Sequence, residues 1–146
     1  MSVKFQVQLK IRKPAAEVFD AVVDPGKLSA YFVQTASGPL VQGASVMWRF
    51  AEFPREIPVV VREVVKNERI VLEWPSATSA GDTRAEIAFK PLDSNNTMVQ
   101  ITESGWRADD EGLAASHGNA GGWMHMMACL KAWLEYGINL RAGGAR

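Results

Sequence analysis

Phe5, Val7, Leu9 and Ile11 alternate with Gln6, Gln8, Lys10 and Arg12. A period of two, with one apolar and one polar face, is that of a half-buried strand. The period then changes. Pro14 stands where the first turn of a helix tolerates a missing N–H, and Val18, Phe19 and Val22 fall at helical spacing over Ala15 to Val22. Asp24-Pro25-Gly26 stops that helix, and Lys27 to Phe32 predicts a second short helical turn ending in the aromatic pair Tyr31-Phe32. From Gly38 to Thr102 the pattern is β. Val46, Trp48 and Phe50 alternate with Met47, Arg49 and Ala51, and a Pro-rich loop runs from Phe53 to Pro58. Val59 to Val65 then predicts a strand, Lys66-Asn67-Glu68 a turn, and Ile70 to Trp74 the returning strand. Pro75 to Asp82 is small and polar, a loop. Ala85, Ile87 and Phe89 alternate with Arg84, Glu86 and Lys90, Asp93 to Asn96 has hairpin-turn composition, and Met98 to Glu103 comes back. Strands joined by short turns predict an antiparallel meander.

The last third switches to a helical period. Asp109 to Gly122 reads as an acidic, Gly/Ala-rich connector with room for a helical turn over Glu111 to Ser116, and Asn119 is the expected N-cap of the final helix. Trp123 to Leu140 predicts that helix as one long element. At about 100° per residue, Trp123, Met127, Leu130, Leu134 and Ile138 share a sector. Met126, Trp133 and Leu140 form an apolar shoulder beside it, and Lys131, Glu135 and Asn139 lie opposite, in water. An antiparallel sheet with one apolar face must cover that face, and the last helix is the only element long enough to do it. The expected architecture is α+β, as a single domain over residues 1–146.

Charge and composition narrow the function classes. Sixteen Lys and Arg balance 16 Asp and Glu, so the Lys/Arg excess of an electrostatic nucleic-acid binder is missing. One cysteine, Cys129, excludes an intrachain disulfide and fits a reducing compartment. No run of about 18 apolar residues suits a membrane span, and the alternating N-terminus is unlike a signal peptide. The expectation is a cytoplasmic protein without nucleic-acid or membrane partners. Five Trp and six Met add wide, adaptable apolar surface, which suits a core or a pocket.

Four segments, in order, carry a family resemblance: Ile11-Arg12-Lys13-Pro14-Ala15-Ala16-Glu17-Val18-Phe19; Asp24-Pro25-Gly26-Lys27-Leu28; Thr102-Glu103-Ser104-Gly105-Trp106; and Gly122-Trp123 followed by Leu130-Lys131-Ala132-Trp133-Leu134-Glu135. Together they resemble the START-like or SRPBCC superfamily, and within it the activator of heat-shock-protein-ninety ATPase homologue-like family. The resemblance implies the helix-grip fold of the birch-pollen allergen type. In that fold a curved antiparallel sheet of six or seven strands wraps on a long C-terminal helix, with two short helices after strand 1. It also implies a cavity between sheet and helix, which members use for lipids, hormones, polyketides or other apolar molecules. A chaperone contact and a stress-response setting are its further implications.

Candidate chemistry is sparse. His125 and Cys129 are four apart and could face one another, but a structural zinc needs four ligands, so neither metal nor cofactor is expected. No Ser-His-Asp or Cys-His set is marked, and Gly118 to Gly122 lacks a phosphate-loop pattern. Two carboxylates continue apolar rows: Glu103 after Val99 and Ile101, and Glu63 after Val59 and Val61. Both suit strand ends in solvent, or pairing with Arg49 or Arg62; if the rows face inward, each points into the cavity and needs donors there. Tyr31, Phe32, Trp48, Phe50, Trp74, Trp123, Met127 and Leu130 are the apolar candidates for the cavity wall, with the core as the plainer reading. Trp106 suits a loop anchor. The mouth is expected near Tyr31, Phe32 and the Phe53–Pro58 loop, with Trp48 and Trp74 along the way in and Glu103 deeper.

Three functions remain: binding of an apolar small molecule, a stand-alone interaction module of the chaperone-activator kind, or an enzyme of cyclase or hydrolase type relying on Glu63 and Glu103. A void above ~300 Å³ under the helix separates the first from the second. The Met126, Trp133 and Leu140 shoulder, with Tyr31-Phe32, also suggests a homodimer.

Overall fold

The computed structural model describes residues 3–76 and 81–143. Its elements are β1 (Val3–Ile11), α1 (Ala15–Val23), α2 (Pro25–Tyr31), β2 (Thr35–Ala36), β3 (Ser45–Arg49), β4 (Glu56–Val65), β5 (Arg69–Pro75), β6 (Asp82–Asp93), β7 (Asn96–Trp106), α3 (Asp110–Tyr136) and a 3₁₀ turn, Leu140–Gly143. The seven strands form one antiparallel sheet in the order β1-β7-β6-β5-β4-β3-β2. The meander from β2 to β7 is closed by β1, which returns to the β7 edge. With α3 lying over the sheet this is the helix-grip arrangement. The loop expected over Pro75 to Asp82 falls partly outside the described residues, as does the stretch from Ala142 to Arg146.

Local chemistry accounts for the short helices. The Pro14 carbonyl accepts from the N–H groups of Glu17 and Val18 to start α1. Asp24 ends it and at once caps α2, its carboxylate accepting from the Gly26 and Lys27 N–H groups at 2.8 and 3.1 Å. Pro25 fills the first helical position, so α2 starts two residues earlier than the pattern predicts. β4 likewise starts early: Glu56 to Pro58 pair with β3, and the loop shrinks accordingly.

The largest departure is α3. The Gly/Ala-rich stretch is helical, 27 residues running unbroken from the Asp109 cap, whose side chain accepts from the Gly112 N–H at 2.7 Å. Asn119 is therefore mid-helix and not a cap. Exposed helical glycines cost about 1 kcal/mol each relative to Ala, and burial of Gly112, Ser116 and Trp123 on one side outweighs that. Gly112 is required for another reason: a Cβ there would lie 2.0 Å from the Arg107 carbonyl oxygen. The helix stops at Gly137, which takes a left-handed conformation (φ 67°) and closes onto the carbonyls of Ala132 and Trp133. Ile138 and Leu140 thus lie beyond the helix, and both are exposed.

Trp123, Met126, Met127, Cys129 and Leu130 are buried from α3, in one core cluster with Val59, Val61, Ile70, Leu72, Ile87, Phe89, Val99 and Ile101 of the sheet. The predicted shoulder is not a free patch. Met126 is buried and Trp133 stacks on Tyr31 with ring centroids 5.6 Å apart. Tyr31 and Phe32 are buried as well, so this route to a dimer surface is closed. Nor does Glu135 face water, while Lys131 is half-exposed. α3 crosses β1, and the Glu135 side chain, 3% exposed, accepts from the Arg12 backbone N–H (3.0 Å), the Arg12 guanidinium (2.7 Å) and the Lys131 ammonium (2.6 Å). Burial alone would raise the Glu135 pKa. The Arg12 N–H, the ammonium and the guanidinium more than reverse that, to about 2.

Candidate functional site

Two carboxylates of similar sequence setting end on opposite faces of the sheet, and β-register decides which. Along β7, Val99 pairs with Leu9 and Phe89, Ile101 with Val7 and Ile87, and Glu103 with Phe5 and Ala85, without a shift. Glu103 therefore keeps the inward face and is fully buried. On β4 a bulge intervenes between Val61 and Glu63. Val61 lies opposite Leu72 but Glu63 lies opposite its neighbour Val71, which turns Glu63 to the other face. There it pairs with Arg69 at 2.6 Å, not with Arg49 or Arg62. The strand-end reading is thus corrected for Glu103, and the cavity reading for Glu63.

Four donors from three elements converge on Glu103. Trp74 near the end of β5 and Thr83 at the start of β6 face each other in register. The Trp74 indole N–H donates to Oε2 at 2.7 Å and the Thr83 hydroxyl to the same oxygen at 2.6 Å. From α3, the Trp123 indole N–H donates to Oε1 at 2.8 Å, and the Asn119 amide, one turn earlier on the same face, spans both oxygens at 3.2 Å. N–H groups can only donate, so both oxygens act as acceptors. A buried carboxylate needs such partners, and here they are all neutral.

In front of this network lies a cavity of about 760 Å³, lined by Phe32, Phe50, Phe53, Trp74, Asn119, Trp123 and other residues of the 52–58 segment and α3. Trp74 and Trp123 lie 5.2 Å apart, Phe32 and Phe50 meet edge to face at 5.1 Å, and Phe32 lies 6.3 Å from Trp123. Trp48 belongs to the layer behind, packed on Phe32 and perpendicular to Trp74. Met127 and Leu130 are core residues that do not line the cavity. Tyr31 points elsewhere: its hydroxyl donates to the Ala21 carbonyl at 3.0 Å, and burial holds its pKa well above the ordinary value.

Arg141 lines the cavity with no functional reading in the sequence, and His125, which also lines it, is considered there only as a metal ligand. Arg141, carried back by the turn at Gly137, pairs with Glu52, and its guanidinium carbon lies 5.8 Å from the ring centres of both Phe32 and Phe50. His125 meets it through Nδ1 at 3.3 Å, and contacts Cys129 Sγ through Nε2 at 3.6 Å. Burial pushes the Cys129 thiol up, opposed by the Arg141 charge, and no group of three His, Cys, Asp or Glu side chains suited to a metal occurs among the described residues. The Gly137 stop was the signal available for Arg141.

Residues 12–135 match a family model described as Activator of Hsp90 ATPase homolog 1-like protein. The chain belongs to this family. Among solved structures, the chain is similar to the protein SSP2350 from Staphylococcus saprophyticus (TM-score 0.79, 26% identity, 95% of this chain and 96% of that one). The Aha1 dimer from Colwellia psychrerythraea shares the fold (TM-score 0.75, 18% identity, 92% and 98%). So does PFC0360w, an HSP90 activator from Plasmodium falciparum (TM-score 0.72, 17% identity, 91% and 96%). No curated protein is significantly similar to the chain. Among the described residues, no helix of this family member is long and apolar enough to cross a membrane.

Proposed function

We infer that the protein is a non-catalytic binding protein that holds a mostly apolar small molecule between the sheet and α3. The observation that carries this reading is the cavity of about 760 Å³, whose indole wall is fixed from behind by Glu103. Small-molecule sites span roughly 300–1,000 Å³, mostly apolar with a few placed polar groups. A wall immobilised before the ligand arrives lowers the entropic cost of binding. Binding is favoured over catalysis because Glu103, fully buried and taken up by four donors, offers no free oxygen to a substrate. Native mass spectrometry of protein from its own host should retain a small-molecule adduct. The neutral fluorophore N-phenyl-1-naphthylamine should bind the folded chain and quench Trp emission, and Phe50→Ala should weaken that binding. No binding at high micromolar concentration overturns the reading.

A second reading, contact with an Hsp90-type chaperone, rests on the family and on the Plasmodium relative described as an HSP90 activator. Stimulation of the chaperone's ATPase by the purified chain tests it. The dimeric Colwellia relative motivates a homodimer, for which sedimentation at high micromolar concentration is the test.

A further inference from the structure

Arg141 sits in the cavity on groups that would receive a ligand of the same chemistry. Its side chain is 13% exposed, with two phenyl rings, the Glu52 carboxylate and a ring nitrogen of His125 around its guanidinium. Phe32, Phe50, Glu52 and His125 all line the cavity. We propose that the cavity carries a subsite for an organic cation, an alkylammonium or guanidinium group on an apolar body, and that Arg141 occupies this subsite as an internal competitor. This rests on the reading of the cavity as a binding site and adds the charge of its ligand.

Three further observations point the same way. The first is charge. Glu52 and Glu56 line the cavity against Arg55 and Arg141, and directly behind Trp74, Asn119 and Trp123 lies Glu103, whose donors are all neutral. No Lys, Arg or His among the described residues forms an ion pair with Glu103. Its charge is left to act on the cavity, where low-dielectric walls focus it. An anionic head group would have to separate Arg141 from Glu52 and sit in that field, whereas a cation replaces one positive group with another.

The second is the indole pair. Both N–H groups donate to one carboxylate, which drives electron density into the rings, and electron-rich indoles are the strongest cation–π partners. The third is the tether. Ile138, Asn139, Leu140 and Ala142 are exposed, so among the described residues Arg141 is the side chain that ties the 3₁₀ turn to the body of the protein. Its withdrawal uncovers little else.

The test uses the full chain and Arg141→Gln, with decyltrimethylammonium and decyl sulfate below their micellar concentrations, each read by Trp emission and by displacement of N-phenyl-1-naphthylamine. The ammonium should bind wild type about tenfold more tightly than the sulfate, the size of one to two solvent-exposed cation–π contacts. Arg141→Gln should tighten ammonium binding five- to tenfold relative to its effect on the neutral fluorophore. Glu52→Gln should weaken the ammonium more than it weakens the fluorophore. Stronger sulfate binding that Arg141→Gln abolishes would make Arg141 an anion anchor and overturn the proposal. So would equal affinity for both amphiphiles while the fluorophore binds, although the cavity reading would then stand. Ammonium binding without fluorophore binding keeps the cation subsite and removes the apolar cavity; no binding of any probe removes both.

Discussion

Glu103→Gln changes one atom and should be costly. The replacement amide has one acceptor oxygen and one NH₂, and the two indole N–H groups approach different oxygens of the native carboxylate: Trp74 donates to Oε2 and Trp123 to Oε1. Whichever way the amide turns, one N–H faces an NH₂ and loses its acceptor. An orphaned buried donor costs about 1–3 kcal/mol, and the donors still bonded fall from charged-acceptor to neutral-acceptor strength, roughly another 1 kcal/mol in sum. Thr83 recovers part of this, because its hydroxyl can rotate to accept from the amide. The expected loss is about 2–4 kcal/mol. At a urea m-value of ~1.5 kcal/mol/M, that moves the unfolding midpoint down by roughly 2 M with the slope unchanged. Two-dimensional NMR supplies the local reading: the Trp74 and Trp123 indole resonances should lie downfield in the native protein, and one should move upfield in the variant. A loss under ~0.5 kcal/mol with both resonances unmoved would refute the claim that the carboxylate organises the cavity wall.

Gly112→Ala should fail to fold, or lose more than about 3 kcal/mol, because its Cβ would meet a backbone oxygen that cannot swing aside; a normal melting temperature would show that α3 starts elsewhere. Leu130→Ala, fully buried under α3, should cost about 2–5 kcal/mol by urea titration, and less than ~1 kcal/mol would mean that the helix does not grip the sheet there. Glu135 is held at about 2 against an ordinary 4.5, so its contribution is fully present above pH 4.5 and is lost as pH falls toward 2. Screening around the exposed Arg12 reduces that contribution to the order of 1–2 kcal/mol, and Glu135→Gln should flatten the acid limb of the stability curve by that amount.

Strand periodicity made most of the sheet legible, since alternation reports directly which face is wet. What alternation cannot show is where the count slips. Val59-Val61-Glu63 and Val99-Ile101-Glu103 look alike in sequence, and only the bulge on β4 separates a surface ion pair from the buried centre of the site. The aromatic residues were legible as a set but not by role. Phe32, Phe50, Trp74 and Trp123 line the cavity, whereas Tyr31, Trp48, Met127 and Leu130 support it or face elsewhere, because one sector of a helix serves core and cavity alike. The helical wheel misplaced Glu135 for a related reason: a helix that crosses β1 buries part of its polar side, and a buried carboxylate with two cations beside it is stable there. Asn119 was hidden by the glycines around it, which favour a loop in isolation and yield to packing once Asp109 has started the helix.

The way β1 is paired bears on how the chain is made. β1 is synthesised before the other six strands, yet among the described residues its one sheet neighbour is β7, and the side chains of Gln8 and Gln100 that meet across this seam are 92 residues apart in sequence. Arg12 must wait longer still for Glu135, 123 residues on. During synthesis β1 therefore emerges as an unpaired, alternating edge, the kind of segment that recruits other chains, until β7 has been added. The lysines and glutamines on its wet face keep that waiting strand dissolved. The seam that closes last also joins two distant parts of the sequence, so folding should be slow for a domain of this length and cooperative at its end.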